Sequence, residues 1–122
     1  MIETTKKTLV YLASPYTTDD WQALELRVTA ASKAAAKLMQ EGYCVFAPIP
    51  HSHCIAEHLD EKFRFDHEFW MQQDIAVLQH CGKLVVLKLP GWENSRGVTR
   101  EIDVARELGI MIEYLEPENS CI

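Results

Sequence analysis

Four short runs of apolar, β-prone residues, 8–13, 43–47, 83–89 and 110–115, are separated by stretches whose apolar side chains recur at helical spacing. That alternation constrains the chain more than anything else in it, because strand, helix and strand in succession build a right-handed βαβ crossover and a parallel sheet. Between the first two runs, Thr17, Thr18 and Asp19 offer N-cap oxygens. Leu24, Val28, Ala31, Ala35 and Leu38 then share one helical face, and Gly42 supplies a stop. A second helix runs from His67 to Gln79 or His80 and ends at Cys81-Gly82, and a third spans 97–108 before Gly109. Pro48 and Pro50 close the second strand, and the mixed stretch 51–66 holds one short helix around 55–59. Together these segments predict an α/β fold: three layers, doubly wound and flavodoxin-like, with a mostly parallel sheet of four to five strands in the order 2-1-3-4.

A chain of 122 residues fits one domain, 1–122, whose polar tail at 116–122 is expected to fray. Eighteen acidic against twelve basic residues give a formal charge of −6, which lacks the phosphate-neutralising field that a DNA or RNA partner demands. A small anion is another matter, since a few N–H groups at one helix start can hold a single phosphate. No apolar run approaches the ~20 residues that span a bilayer, and residues 1–7 carry no signal-peptide stretch, so a cytoplasmic protein without a membrane partner is expected. Cys44, Cys54, Cys81 and Cys121 form no C-x-x-C pair and read as small apolar fillers or free thiols of a reducing compartment.

Open parallel sheets bind ligands beyond the carboxyl ends of their strands, where the strand order reverses. That rule gathers three loops: Ser14-Pro15-Tyr16, residues 48–53 and residues 90–95. Two carboxylates interrupt apolar helix faces: Glu101, one turn into its helix, falls at the strand-end crevice, and Asp74 reaches it only if its own helix leans that way. Asp74 shares its face with Trp70, Val77, Leu78 and Cys81, and Glu101 shares its own with Val98, Val104, Ala105 and Leu108. Burying an unpaired carboxylate costs several kcal/mol or raises its pKa. Each therefore needs either a satisfying Ser, Tyr or Arg, or a chemical purpose.

Ser95-Arg96-Gly97-Val98 brings a hydroxyl, a glycine that permits close backbone approach and the positive end of a helix dipole, a set that suits a phosphate or an ordinary N-cap. Ser14 and Tyr16 offer further hydroxyls to the same ligand, or simple turn chemistry. Arg27, at the edge of the first helix's apolar face, reads as half of a structural salt bridge. His51, His53, His58 and His67, with Cys54, Asp60 and Asp66 nearby, lack a specific metal-ligand spacing; His51 and His53 read instead as pocket-lining residues, and neither metal nor cofactor is expected. Trp92 either stacks on a base or pins its loop to the core.

At this point the residues carry a likeness. Tyr11-Leu12-Ala13-Ser14-Pro15-Tyr16 at the first strand end, Asp74 before the third strand and Ser95-x-Gly97-Val98-x-x-Glu101 after it resemble the nucleoside 2-deoxyribosyltransferase superfamily. The likeness is greatest to a branch of small proteins in it, similar to deoxynucleoside 5′-monophosphate N-glycosidases. It implies a retaining double displacement on an N-glycosidic bond of a nucleoside or nucleotide. Glu101 would attack C1′, Asp74 would protonate the departing base, Tyr11 would hold Glu101 in line, and Ser95 with the Gly97 backbone, helped by Ser14, would take the 5′-phosphate. It also implies a homo-oligomer, dimer or tetramer, because members of the superfamily donate a C-terminal residue to a neighbouring subunit's pocket. Paired carboxylates flanking an oxocarbenium-like transition state agree with the reading of the residues themselves. Two rival readings stand beside it: a non-catalytic nucleotide-binding or sensing module on the same fold, and a metal-dependent hydrolase built on His51 and His53.

Overall fold

The computed structural model describes residues 7–118. In chain order its elements are β1 (Leu9–Ala13), α1 (Trp21–Gln40), β2 (Cys44–Phe46), α2 (Pro48–Ala56), α3 (Glu61–Arg64), α4 (His67–Leu78), β3 (Lys83–Leu87), α5 (Arg96–Leu108) and β4 (Met111–Leu115), with a single 3-10 turn at Trp92–Asn94 before α5. The sheet is four-stranded and wholly parallel in the order β2-β1-β3-β4. Strand alternation divides the core. Tyr11, Ala13, Leu84 and Val86 pack with Leu78, Val98 and Ala105 of α4 and α5 on one face. Val10, Leu12, Val85 and Leu87 pack with Ala30 and Ala35 of α1 on the other. The predicted three-layer α/β architecture and strand order are those observed, and the order reverses between β1 and β3.

Each long helix begins at a side-chain cap. Asp20 caps α1, one residue beyond the expected oxygens, by accepting from the Gln22 N–H at 3.0 Å. Asp66 caps α4 through the N–H groups of Glu68 and Phe69, and Ser95 caps α5 through that of Val98 at 3.2 Å. Gly109, at φ 70°, ends α5 in the left-handed conformation.

Three local expectations are corrected. Pro48 and Pro50 do end β2, but they open α2 in place of a loop, because proline presets φ and lacks an N–H that the first helical turn does not need. The expected short helix at 55–59 is thus a helix over Pro48–Ala56. Leu108 does not share the inward face of Glu101: it is the last helical residue and 52% exposed, while Ile102 takes the core position. At the start of the tail Glu116 pairs with Lys88 at 2.6 Å and Glu118 with Lys37 at 3.2 Å. Residues 119–122, Cys121 among them, lie outside the described residues, as do residues 1–6. Cys44, Cys54 and Cys81 are free thiols.

Candidate active site

Tyr11 lies in the middle of β1 with its side chain fully buried toward α5, where its hydroxyl donates a hydrogen bond to Glu101 Oε2 across 90 positions of sequence. Glu101 reaches it from the second turn of α5 and is only 3% exposed. Asp74, on α4, is buried on the same side of the sheet, close enough that its charge raises the pKa of both Tyr11 and Glu101. Burial dominates the electrostatics of all three. It raises Glu101 to about 8 against the lowering effect of the Tyr11 bond, raises Asp74 to about 6, and pushes the Tyr11 phenol far up. Asp74 accepts no hydrogen bond among the described residues. Cys81, packed in the same core, is held as an unreactive thiol, raised to about 11 by burial.

Beside this cluster a cavity of about 350 Å³ opens between β2, α2 and α4. Its wall includes Asp74, Gln73 and Trp70 of α4, Phe46 at the end of β2, and His51 and Ile55 of α2. Phe46 connects it to the core, its ring centroid 5.7 Å from that of Tyr11 and 5.1 Å from that of His51. The cavity has aromatic and aliphatic walls, with His51, Ser52, Gln73 and Asp74 as the polar side chains that line it. Glu101 does not line the cavity.

Ser14 follows β1 and is 5% exposed, and its hydroxyl is the one buried side-chain polar atom without a partner among the described residues. At the start of α5, Ser95 uses its oxygen as the N-cap, and the N–H groups of Arg96 and Gly97 precede the first intrahelical bonds. A Cβ on Gly97 would meet only Met71 Cε at 3.8 Å and Ser95 Oγ at 4.0 Å, so nothing in the protein's own packing demands glycine there.

The other sequence-nominated residues sit elsewhere. Of the two histidines, His51 lines the cavity and His53 does not. His53 bridges Tyr16 and Glu25, with Nδ1 2.9 Å from the Tyr16 hydroxyl and Nε2 3.4 Å from the Glu25 carboxylate, so Tyr16 is occupied on the α1 side of α2. Trp92 packs against the core and Tyr114, with centroids 5.5 Å apart, and so pins its loop instead of lining the cavity. Arg27 forms no ion pair among the described residues; it donates to the backbone carbonyls of Thr17 and Pro90. No three His, Cys, Asp or Glu side chains among the described residues converge on a point that would hold a metal ion.

Comparison with known families decides the affiliation. Residues 8–116 match DUF1937, a domain of unknown function. The chain belongs to that family. No curated protein matches it. The matched span of this DUF1937 domain runs from the residue before β1 past the end of β4, and so contains every residue of the cavity, of the Tyr11–Glu101–Asp74 cluster and of the α5 start.

Sequence reasoning missed most of the cavity wall. Trp70 and Val77 appeared only as face-mates of Asp74, yet Trp70, Gln73, Asp74 and Val77 stand at helical spacing and together form the α4 wall. That spacing was a usable signal. Phe46, Ile55 and Leu59 carried none, because their convergence depends on how α2 turns after β2. No helix among the described residues is long and apolar enough to cross a membrane.

Proposed function

We propose that this domain cleaves or transfers the N-glycosidic bond of a deoxynucleoside or its 5′-monophosphate through a covalent sugar intermediate on Glu101. The observation that carries the reading is the buried Tyr11–Glu101 hydrogen bond with Asp74 alongside, at the wall of an aromatic cavity. The base occupies the cavity and meets Asp74. A Glu101 oxygen attacks C1′, the bond from C1′ to the base nitrogen breaks, and its electron pair leaves with the base, which takes a proton from Asp74. Asp74 then removes a proton from water, or from an incoming base, which displaces Glu101 with net retention. The N–H groups at the start of α5, with Ser95 and Ser14, hold the 5′-phosphate. Exposed free thiols at Cys44 and Cys54 accord with a cytoplasmic setting.

Burial raises both carboxyls, so the pair retains a proton at a pH where exposed carboxyls have lost theirs. The productive form places the proton on Asp74 and the charge on Glu101, where the Tyr11 hydroxyl and a developing oxocarbenium ion favour the carboxylate. In this reading the sugar reaches Glu101 once α4 side chains give way, and Met71, an unbranched side chain buried beside Gly97, is one suited to do so.

The test is release of free base from a panel of deoxynucleosides and their 5′-monophosphates by wild type and Glu101→Gln. The reading expects release by wild type alone. Release by neither, or equally by both, overturns it. One observation favours a second reading, a non-catalytic nucleotide-binding module: Glu101 is sealed from the cavity. That module would be stabilised by a nucleotide in a thermal shift and leave it unconsumed.

A further inference from the structure

Among the described residues Arg27 is the one side chain that hydrogen-bonds to both loops that follow the central strands. From the second turn of α1 its Nη1 donates to the Thr17 carbonyl, in the β1–α1 loop, at 2.7 Å. Its Nη2 donates to the Pro90 carbonyl, in the β3–α5 loop, at 3.2 Å. β1 and β3 are neighbours in the sheet, and between their carboxyl ends lies the reversal of strand order. The first loop carries Ser14 and Tyr16; the second leads through Gly91 and the Trp92–Asn94 turn into Ser95 and Gly97. Gly91 is fitted to this contact in two ways. Its φ of 93° is a left-handed conformation that favours glycine, and a Cβ there would stand 3.1 Å from Arg27 Nη2.

We infer that Arg27 is a positioning residue whose guanidinium, by holding one carbonyl of each loop, fixes the spacing between Ser14 and the start of α5. The chemistry requires arginine. A planar fork reaches two acceptors in fixed directions, whereas a lysine ammonium is one point on a flexible stem. Both acceptors are carbonyls, so the side chain reads backbone position in each loop. Tyr16, tied to His53, anchors the first loop from its other side. The second loop's corresponding anchor is Trp92 against Tyr114. Arg27 then sets the distance between two loops that are each held from outside.

The inference rests on the proposed function only in taking this crevice as the place where the sugar phosphate binds. Hydrogen exchange on wild type, Arg27→Gln and Arg27→Lys tests it without any substrate. Exchange in residues 15–20 and 89–95 should rise together in Arg27→Gln, by about tenfold, the worth of a lost charge-assisted hydrogen bond, with β1 and β3 unchanged. Arg27→Lys, which keeps the charge and loses the fork, should fail to protect both loops at once. Gly91→Ala attacks the same contact from the other side and serves if the Arg27 variants fold poorly. In kinetics with a deoxynucleoside 5′-monophosphate, Arg27→Gln and Gly91→Ala should each raise KM by about tenfold with kcat changed far less, and the double variant should be no worse than the worse single.

A rise in one loop alone, a uniform rise that includes β1 and β3, or additive effects in the double variant would overturn the inference. If wild type cleaves nothing, the proposed function fails while the exchange result still decides the role of Arg27. If wild type is active and Arg27→Gln changes neither exchange nor KM, the role of Arg27 fails alone.

Discussion

Glu101 stands where an ionised carboxylate is costly, beneath α5 with one hydroxyl for company. Its raised pKa, about 8, and that of Asp74, about 6, both come from burial, and both lie above the values of 4.5 and 3.8 expected of exposed groups. The folded state therefore binds more protons than the unfolded state between those limits, and stability falls as pH rises from about 4 to about 8. Glu101→Gln keeps the shape and removes the charge, so its melting temperature should exceed that of wild type at pH 8.5 and approach it at pH 4.5; melts across that range check this. Tyr11→Phe removes the bond that favours the carboxylate. It should raise the Glu101 pKa further, shrink the fraction of enzyme that carries the charge on Glu101 and the proton on Asp74, and lower kcat by about 10- to 100-fold, the effect of one buried hydrogen bond. Ser14→Ala removes a buried hydroxyl without a partner and should raise stability by up to about 1–3 kcal/mol in denaturant melts while raising KM for a monophosphate. The inward placement of Glu101 and Asp74 was legible from the apolar residues around them. The Tyr11 bond was not, since no local pattern links a strand to a helix 90 positions later.

At the scale of elements, strands and long helices were legible because apolar period and caps agree, as at Ser95, Val98, Ala105 and Gly109 of α5. The region after β2 was not: Pro48 and Pro50 carry the same local signal whether a chain stops or starts a helix, and tertiary packing on α1 decides between them. That stretch forms one wall of the cavity, so the wall was less legible than the carboxylates. Within α5, Gly97 weakens the first turn without a packing reason. Gly97→Ala should stabilise the protein by up to about 1 kcal/mol, seen as a higher melting temperature, because alanine fits and restricts the unfolded chain. The same Cβ would stand beside the N–H groups assigned to the phosphate, so KM should rise for a deoxynucleoside 5′-monophosphate and stay level for the nucleoside. Stability and nucleotide affinity moving in opposite directions would mark a glycine kept for a ligand.

For the whole molecule, a formal charge of −6 opposes the approach of the anionic substrate proposed above. In the proposed binding mode the attraction comes from one helix start within a net repulsive field, so added salt should screen more repulsion than attraction. The kcat/KM for a 5′-monophosphate should rise between low and physiological ionic strength, whereas a basic nucleotide-binding surface would show a fall. The two-sided core holds α4 and α5 on one face of the sheet, and the carboxylates sit where those helices meet β1. The central claim is that this meeting place forms a covalent bond to sugar carbon. Intact-protein mass spectrometry after incubation with a slowly hydrolysed 2′-fluoro deoxynucleoside 5′-monophosphate tests it most directly. The account predicts the mass of one sugar phosphate added to wild type, mapped to Glu101 by peptide analysis and absent from Glu101→Gln; base release with no adduct, or an adduct on any other residue, would contradict it.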